Sequence, residues 1–272
     1  MTVADVPAGH ALSRGAGWNQ RAEDWAFLLA HNPGRFVAAV EPDGRVAGTA
    51  GAACYGSALA WVCMVLVEPA SRGQGIGRGL MEAVLSRLDD IDVVGLDATP
   101  LGRPVYAKLG FREARTYLRM AAEAAPAPGR PGLARAVTGA DLPAIFAQDR
   151  AAFGADRTAV LRWASGQAPA WCVADAGAIA GYCFGRRGEH SHHVGPLVAE
   201  DAAAARYLLA RAARGLDGRV IADVAADRPD WLAAVHALGF REERPLIRMY
   251  RGRAAVPGTP ARVFALLGPE FG

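Results

Sequence analysis

The sequence predicts an α/β protein in which two copies of one unit follow each other, each a central mixed β-sheet flanked by helices. Three observations carry this expectation. Short segments recur in the same order about 130 residues apart, apolar stretches switch between strand and helix periodicity, and one strand runs into a glycine-rich turn that opens an apolar helix.

The repeat is degenerate but in register. Leu109-Gly110-Phe111-Arg112-Glu113 returns as Leu238-Gly239-Phe240-Arg241-Glu242, and Arg119-Met120 as Arg248-Met249. Val46-Ala47-Gly48 returns as Ile179-Ala180-Gly181, Leu66-Val67 as Leu197-Val198, and a strand ending in Asp97 as one ending in Asp223. These matches divide the chain into a first half, residues 1–122, and a second, residues 133–272. The linker at 123–132 is rich in Ala, Pro and Gly, and Pro within it breaks any helix.

In the first half the pattern predicts helices near Ala4 to Ser13 and Ala22 to His31, the second placing Trp25, Leu28 and Leu29 on one face. Strands follow at Arg35 to Val40, Val46 to Ala53 and Leu59 to Val67, with Pro42-Asp43-Gly44 as the first turn. A helix from Ile76 to Leu88, a strand from Val93 to Ala98, a short helix from Pro104 to Leu109 and a last strand pair to Met120 complete it. The second half repeats this order, with helices near Ala140 to Ala152 and Ala202 to Arg214 and strands near Trp171, Ile179, Val194, Val220 and Leu246. Its last segment, Arg262 to Leu267, has no counterpart in the first half.

Composition excludes several classes. With 52% hydrophobic and 21% charged residues the 272-residue chain has the means to build packed cores. A net charge of +3 without any basic run argues against a nucleic-acid partner. Cys54, Cys63, Cys172 and Cys183 match neither a zinc spacing nor a disulfide framework, so no metal is expected and the thiols point to a reducing, cytoplasmic location. Residues 46–67 carry no charge, yet Gly48, Gly51 and the turn signal Tyr55-Gly56-Ser57 make them a strand hairpin rather than a membrane helix. No basic-then-apolar leader opens the chain, and no membrane partner is expected.

The chemical signal is the run from Val65 to Gly77. Gly73, Gly75 and Gly77 let the backbone approach a ligand closely, the free N–H groups at the helix start face a positive dipole end, and Arg72 adds a charge, all of which suit a pyrophosphate. Arg78 stands where a dinucleotide fingerprint needs glycine, and the Gly-Lys-Ser/Thr of a nucleoside-triphosphate loop is absent.

The pattern R-G-x-G-x-G after a V-x-V-x-P strand resembles the acyl-CoA loop of the GNAT acyltransferase superfamily, and Val105-Tyr106-Ala107-Lys108-Leu109-Gly110-Phe111 resembles its second motif. Leu96-Asp97-Ala98-Thr99-Pro100 and the run from Val263 to Glu270 look like a bacterial subgroup with tandem GNAT domains. The resemblance implies an acyl donor, acetyl-CoA, lying in a splay between two central strands, held by Val65, Leu66, Val67 and the loop Arg72, Gly73, Gln74, Gly75, Ile76, Gly77 and Arg78. It also implies that Tyr106 faces the departing thiolate, where its neutral phenol can donate a proton. Met1 to Val6 is too short to supply a clear copy of the initial strand common in the family, which is expected to be missing or replaced.

The function implied is an N-acetyltransferase acting on a small-molecule amine by direct attack. A non-catalytic acyl-CoA sensor and a protein or peptide acetyltransferase are the alternatives. Glu68 and Asp97 are both open as the base. For the acceptor wall the candidates are Trp18 and Asn19 from the first half and His192 and Asp223 from the second, Asp223 pairing with an amine or guanidinium. After Leu197-Val198 the second half has Ala199-Glu200-Asp201-Ala202 in place of a glycine loop, so it is expected to bind no CoA.

Overall fold

The computed structural model of the chain describes residues 1–123, 134–175, 178–214, 216–252 and 257–272. The expected linker therefore lies, but for Glu123, outside the described residues. The first half opens on a 3-10 turn at Val3–Asp5 where the family's initial strand would stand, followed by α1 (Val6–Gly15) and α2 (Ala22–His31). Apolar residues three and four apart share a helix face, and α2 accordingly buries Trp25, Leu28 and Leu29. The uncharged stretch forms the predicted hairpin: β1 (Phe36–Val40), β2 (Val46–Tyr55) and β3 (Leu59–Val67) make an antiparallel meander. Then come α3 (Ile76–Leu85), β4 (Val93–Ala98), α4 (Arg103–Lys108) and β5 (Arg112–Ala122).

The second half does have an initial strand, β6 (Ala134–Ala136), before α5 (Leu142–Phe153) and α6 (Thr158–Ser165). β7 (Trp171–Asp175), β8 (Ala178–Arg186) and β9 (His192–Ala199) repeat the meander. α7 (Ala202–Arg214), β10 (Val220–Ala225), α8 (Pro229–Ala237), β11 (Arg241–Gly252) and a short β12 (Val263–Ala265) follow.

The two sheets are fused into one of twelve strands, in the order β1-β2-β3-β4-β11-β5-β10-β12-β9-β8-β7-β6. The last strand pair expected in the first half is not formed within it. β5 is one strand, and its neighbours β11 and β10 both come from the second half, while β11 lies between β4 and β5 of the first. Each half thus gives its last long strand to the other. Main-chain hydrogen bonds and a contiguous core running from Trp25 and Trp61 to Phe184 and Phe271 join the halves.

In each half the two parallel strands at the centre begin together and then diverge. β3 pairs with β4 only over Leu59 to Trp61, and β9 with β10 only over His192 and His193. The first splay stays open. In the second, β12 inserts between β9 and β10, with Leu266 N–H bonding Asp223 O at 2.9 Å. Gly195 makes room, since a Cβ there would stand 1.8 Å from Leu266 O.

Candidate active site

The open splay owes its shape to a bulge. Opposite Thr49 to Gly51 the register of β3 shifts, and Met64 takes a left-handed φ of 53°, a costly conformation for a residue with a side chain. The Thr49 hydroxyl fixes it by donating to Met64 O at 2.8 Å in the buried interior. Beyond Trp61, β3 has no partner on its β4 side, so its edge from Val62 to Val67 is free to bond an extended ligand. The strand then enters a 3-10 turn at Pro69–Ser71 and the glycine loop.

Gly73 and Gly75 have φ of 79° and 80°, and a Cβ at either would meet nothing within 4 Å. Their use is therefore conformational, and it leaves open space before the start of α3. The N–H groups from Gly73 to Arg78 have no acceptor among the described residues, as expected where a helix begins. Arg72 bonds Val67 O through Nε at 3.1 Å, whereas Arg78 turns outward to Glu82.

At the inner end of the splay lies a cavity of about 400 Å³ built by both halves. Val62 to Val65, Asp97 and Tyr106 form its first-half side with the loop Ala16 to Gln20. His190, Ser191, Arg219, Glu243, Arg244 and the tail residues Pro269 and Glu270 form the other. Tyr106 is half-buried, edge-on to Phe111 with ring centres 6.3 Å apart. Burial pushes its phenol up to about 12, so it remains protonated at neutral pH.

Of the carboxylates lining this cavity, Asp97, Glu243 and Glu270, the last is set apart by its partners. It is 3% exposed, accepts from Gln20 Nε2 at 3.0 Å, and is bonded by Arg186, whose guanidinium also holds Asp24 at 2.9 Å. Two buried carboxylates therefore share one cation. Burial raises the Glu270 carboxyl above its ordinary value, Arg186 opposes this, and Asp24 adds to it, with a net rise. The oxygen of the same Gln20 amide, Oε1, is buried without a hydrogen-bond partner.

Two family models, each described as an acetyltransferase (GNAT) domain, match residues 17–120 and 145–265. The chain belongs to the GNAT acetyltransferase family. The chain is similar to a curated relative, an uncharacterized N-acetyltransferase of Bacillus subtilis strain 168. The two are 25% identical over 263 residues, covering 94% of this chain and 92% of the relative. The GNAT fold is shared with a putative acetyltransferase of Pyrococcus horikoshii (TM-score 0.85, 20% identity, 100% of this chain and 94% of that one). It is shared as well with a tandem GNAT protein from the clavulanic acid biosynthesis pathway (TM-score 0.63, 19% identity, 94% and 98%). The protein is an acyltransferase enzyme, and among the described residues no helix is long and apolar enough to cross a membrane.

Within this tandem GNAT frame, the donor-loop residues expected from the sequence lie together beside the open splay, with Val65 also lining the cavity. Leu66 and Val67 continue that strand edge. Trp18 and Asn19 both line the cavity, but the Asn19 amide is engaged through both its oxygen and its nitrogen. Its Oδ1 accepts from the N–H groups of His190 and Ser191 at 3.0 Å, and its Nδ2 donates to Ser191 O, tying the halves together.

His192 and Asp223 do not line the cavity. The neighbour His190 does, because β9 starts at His192 and only the preceding turn reaches the opening. Asp223 pairs with a guanidinium, but it is the chain's own Arg119, whose Nε and Nη2 take both oxygens at 2.8 Å. Of the two open candidates for the base, Glu68 is ion-paired to Arg45 outside the cavity, and Asp97 lends both oxygens to Arg248 at 2.9 and 2.8 Å. Glu270, Gln20 and Arg244 are the residues sequence reasoning missed. The one available signal was a lone carboxylate closing an otherwise apolar run, Val263 to Pro269.

Proposed function

We propose that the enzyme moves an acetyl group from acetyl-CoA to the amine of a small molecule by direct attack in a ternary complex. The observation that supports this most is one continuous surface, in which a strand edge and glycine loop rich in unpartnered N–H groups lead into a cavity holding a neutral phenol and a buried carboxylate.

The residues fit the donor. The N–H groups from Gly73 to Arg78, with Arg72, suit its pyrophosphate, and the free edge of Val65, Leu66 and Val67 suits the amides of its pantetheine arm. Acetyl-CoA supplies the activated acetyl thioester. Glu270 receives the proton that the acceptor ammonium must lose, its carboxylate being made more basic by burial. N–H groups of the β3 edge stabilise charge developing on the carbonyl oxygen as the amine nitrogen bonds to the carbonyl carbon. As the carbon–sulfur bond breaks, its electron pair leaves with sulfur and Tyr106 donates the phenolic proton, while the second proton lost by nitrogen restores the phenol through solvent.

We assign donor binding to residues 1–122 and read residues 133–272 as the half that binds no CoA. The support is that β12 fills the second splay, and the Asp201 carboxylate occupies the start of α7 by accepting from Ala204 N–H at 2.8 Å. The four free cysteines are in keeping with a cytoplasmic setting. The test is a thiol-release assay with acetyl-CoA over amino acids, polyamines, aminoglycosides and peptides, with donor binding followed by calorimetry. Binding with turnover of one small-amine class is expected; no binding of acetyl-CoA overturns the reading, and turnover of peptides alone moves it to a protein acetyltransferase.

A further inference from the structure

The charges around the cavity do not cancel locally. Arg119 is held by Asp223, Arg219 by Glu123 and Glu243, and Asp97 by Arg248. Two imbalances remain. At one side Asp24 and Glu270 share the single cation Arg186, and Gln20 Oε1 is a buried acceptor with no donor. At the other, half-buried Arg244 makes no hydrogen bond or close ion pair to a carboxylate or carbonyl among the described residues, Asp223 acting on it only from a distance.

Arg244 is placed there by the strand itself. Between Glu242 and Arg244 the register of β11 against β5 shifts, Glu243 being the extra residue, and both Glu243 and Arg244 line the cavity. The shift sets Arg244 directly opposite Arg119. Burial and the charge of Arg119 both disfavour the guanidinium there, and Asp223, both of whose oxygens are already taken by Arg119, offsets them only in part. A guanidinium so placed is an anion site awaiting its ligand.

Building on the acetyl-transfer reading, we propose that the acceptor is an amine that also carries a carboxylate, an amino acid. Its carboxylate is received by Arg244, and its amine by Gln20 Oε1 and Glu270. The excess cation and the excess carboxylate of the cavity match the two charges of a zwitterion. An amine without an anionic group leaves Arg244 uncompensated, and an anion without an amine leaves Gln20 Oε1 and Glu270 unused. The cavity volume is within the range of about 300–1,000 Å³ usual for small-molecule sites, ample for an amino acid beside an acetyl group.

The test compares amino acids, their amides, the corresponding decarboxylated amines and amino-sugar phosphates, by thiol release and by calorimetric binding to the CoA-loaded protein. Free amino acids are expected to bind and turn over, with kcat/KM at least about tenfold above their amides, as loss of a charged hydrogen bond implies. Arg244→Ala should erase that preference while leaving acetyl-CoA affinity unchanged, and Arg244→Lys should restore part of it. Equal use of amides and acids, or a preference that survives in Arg244→Ala, overturns the proposal while leaving acetyl transfer standing. So does the failure of every carboxylate-bearing amine to bind the CoA-loaded protein. Turnover of the phosphates alone keeps an anion at Arg244 but overturns the amino-acid assignment. Failure of acetyl-CoA to bind at all is the separate failure of the acetyl-transfer reading.

Discussion

Arg248 on β11 closes on both oxygens of Asp97 on β4, at 2.9 and 2.8 Å. Arg119 on β5 does the same to Asp223 on β10, at 2.8 Å for both bonds. The two arginines are equivalent in the repeat, as are the two aspartates, so each half gives a cation to one pair and a carboxylate to the other. The pairs sit where the exchanged strands meet their hosts.

Breaking one pair should loosen the exchange. Arg248→Met leaves Asp97 buried without its cation, and urea unfolding is expected to show a loss of about 3–5 kcal/mol. The double change Arg248→Met with Asp97→Leu removes both charges and should recover most of that loss. A single variant as stable as the wild type would mean that the pair contributes nothing to the junction.

Gly75→Glu places a side chain at a φ of 80° and a carboxylate among the N–H groups of the loop. The strain alone is about 1–2 kcal/mol, and a misplaced charge costs several more in binding. Calorimetry should show acetyl-CoA affinity reduced by about 10²-fold or more, with the circular dichroism spectrum preserved.

Tyr106→Phe keeps the ring against Phe111 and removes only the hydroxyl, the proposed proton donor. The expected result is a fall in kcat of about 10²–10⁴, with little change in donor KM. Because burial holds the wild-type phenol up to about 12, its ionisation should not depress activity between pH 7 and 10.

Glu270 must be deprotonated to accept a proton, so kcat/KM should be low at acid pH and rise as this carboxyl ionises. The rise should lie above the ordinary value of 4.5, since burial lifts the group. Glu270→Gln should lower the plateau and abolish this limb of the pH profile. An unchanged limb in the variant would assign it to another group.

His193 gives a stability prediction. Burial lowers its pKa to about 3, Asp223 opposing and Arg186 and Arg119 assisting, so the folded protein keeps it neutral while the unfolded chain takes up a proton below pH 6.5. Stability attributable to it is complete above pH 6.5 and falls as pH drops toward 3, by up to about 1.4 kcal/mol per pH unit. In His193→Gln, urea midpoints should decline less across that window than in the wild type.

Local structure was legible. The uncharged hairpin, and the strand and helix on either side of the glycine loop, follow from turn signals and periodicity. The strand exchange was hidden, because β5 and β11 carry matching sequences and either could satisfy the same neighbours; a repeat reveals equivalence, not partnership. Asp223 shows the same limit, since its need for a guanidinium was readable but the owner of that guanidinium was not. Nothing about Met64 marks a left-handed bulge, which depends on the Thr49 hydroxyl from the adjacent strand. Gln20 and Glu270 meet across 250 residues of sequence, where no local pattern points from one to the other.

The exchange of β5 and β11 sets a timetable for biosynthesis. β5 leaves the ribosome roughly 120 residues before β11 begins, an interval on the order of 10 s at ~5–20 residues per second. For that time the nascent first half exposes the edges of β4 and β5, the pattern that invites pairing with another chain. On a polysome the nearest competitor is the β5 of an adjacent copy, whose sequence matches the strand being awaited. Correct folding is thus a race between the chain's own late-arriving strand and its neighbours, and the cavity is complete only when translation has delivered Glu270.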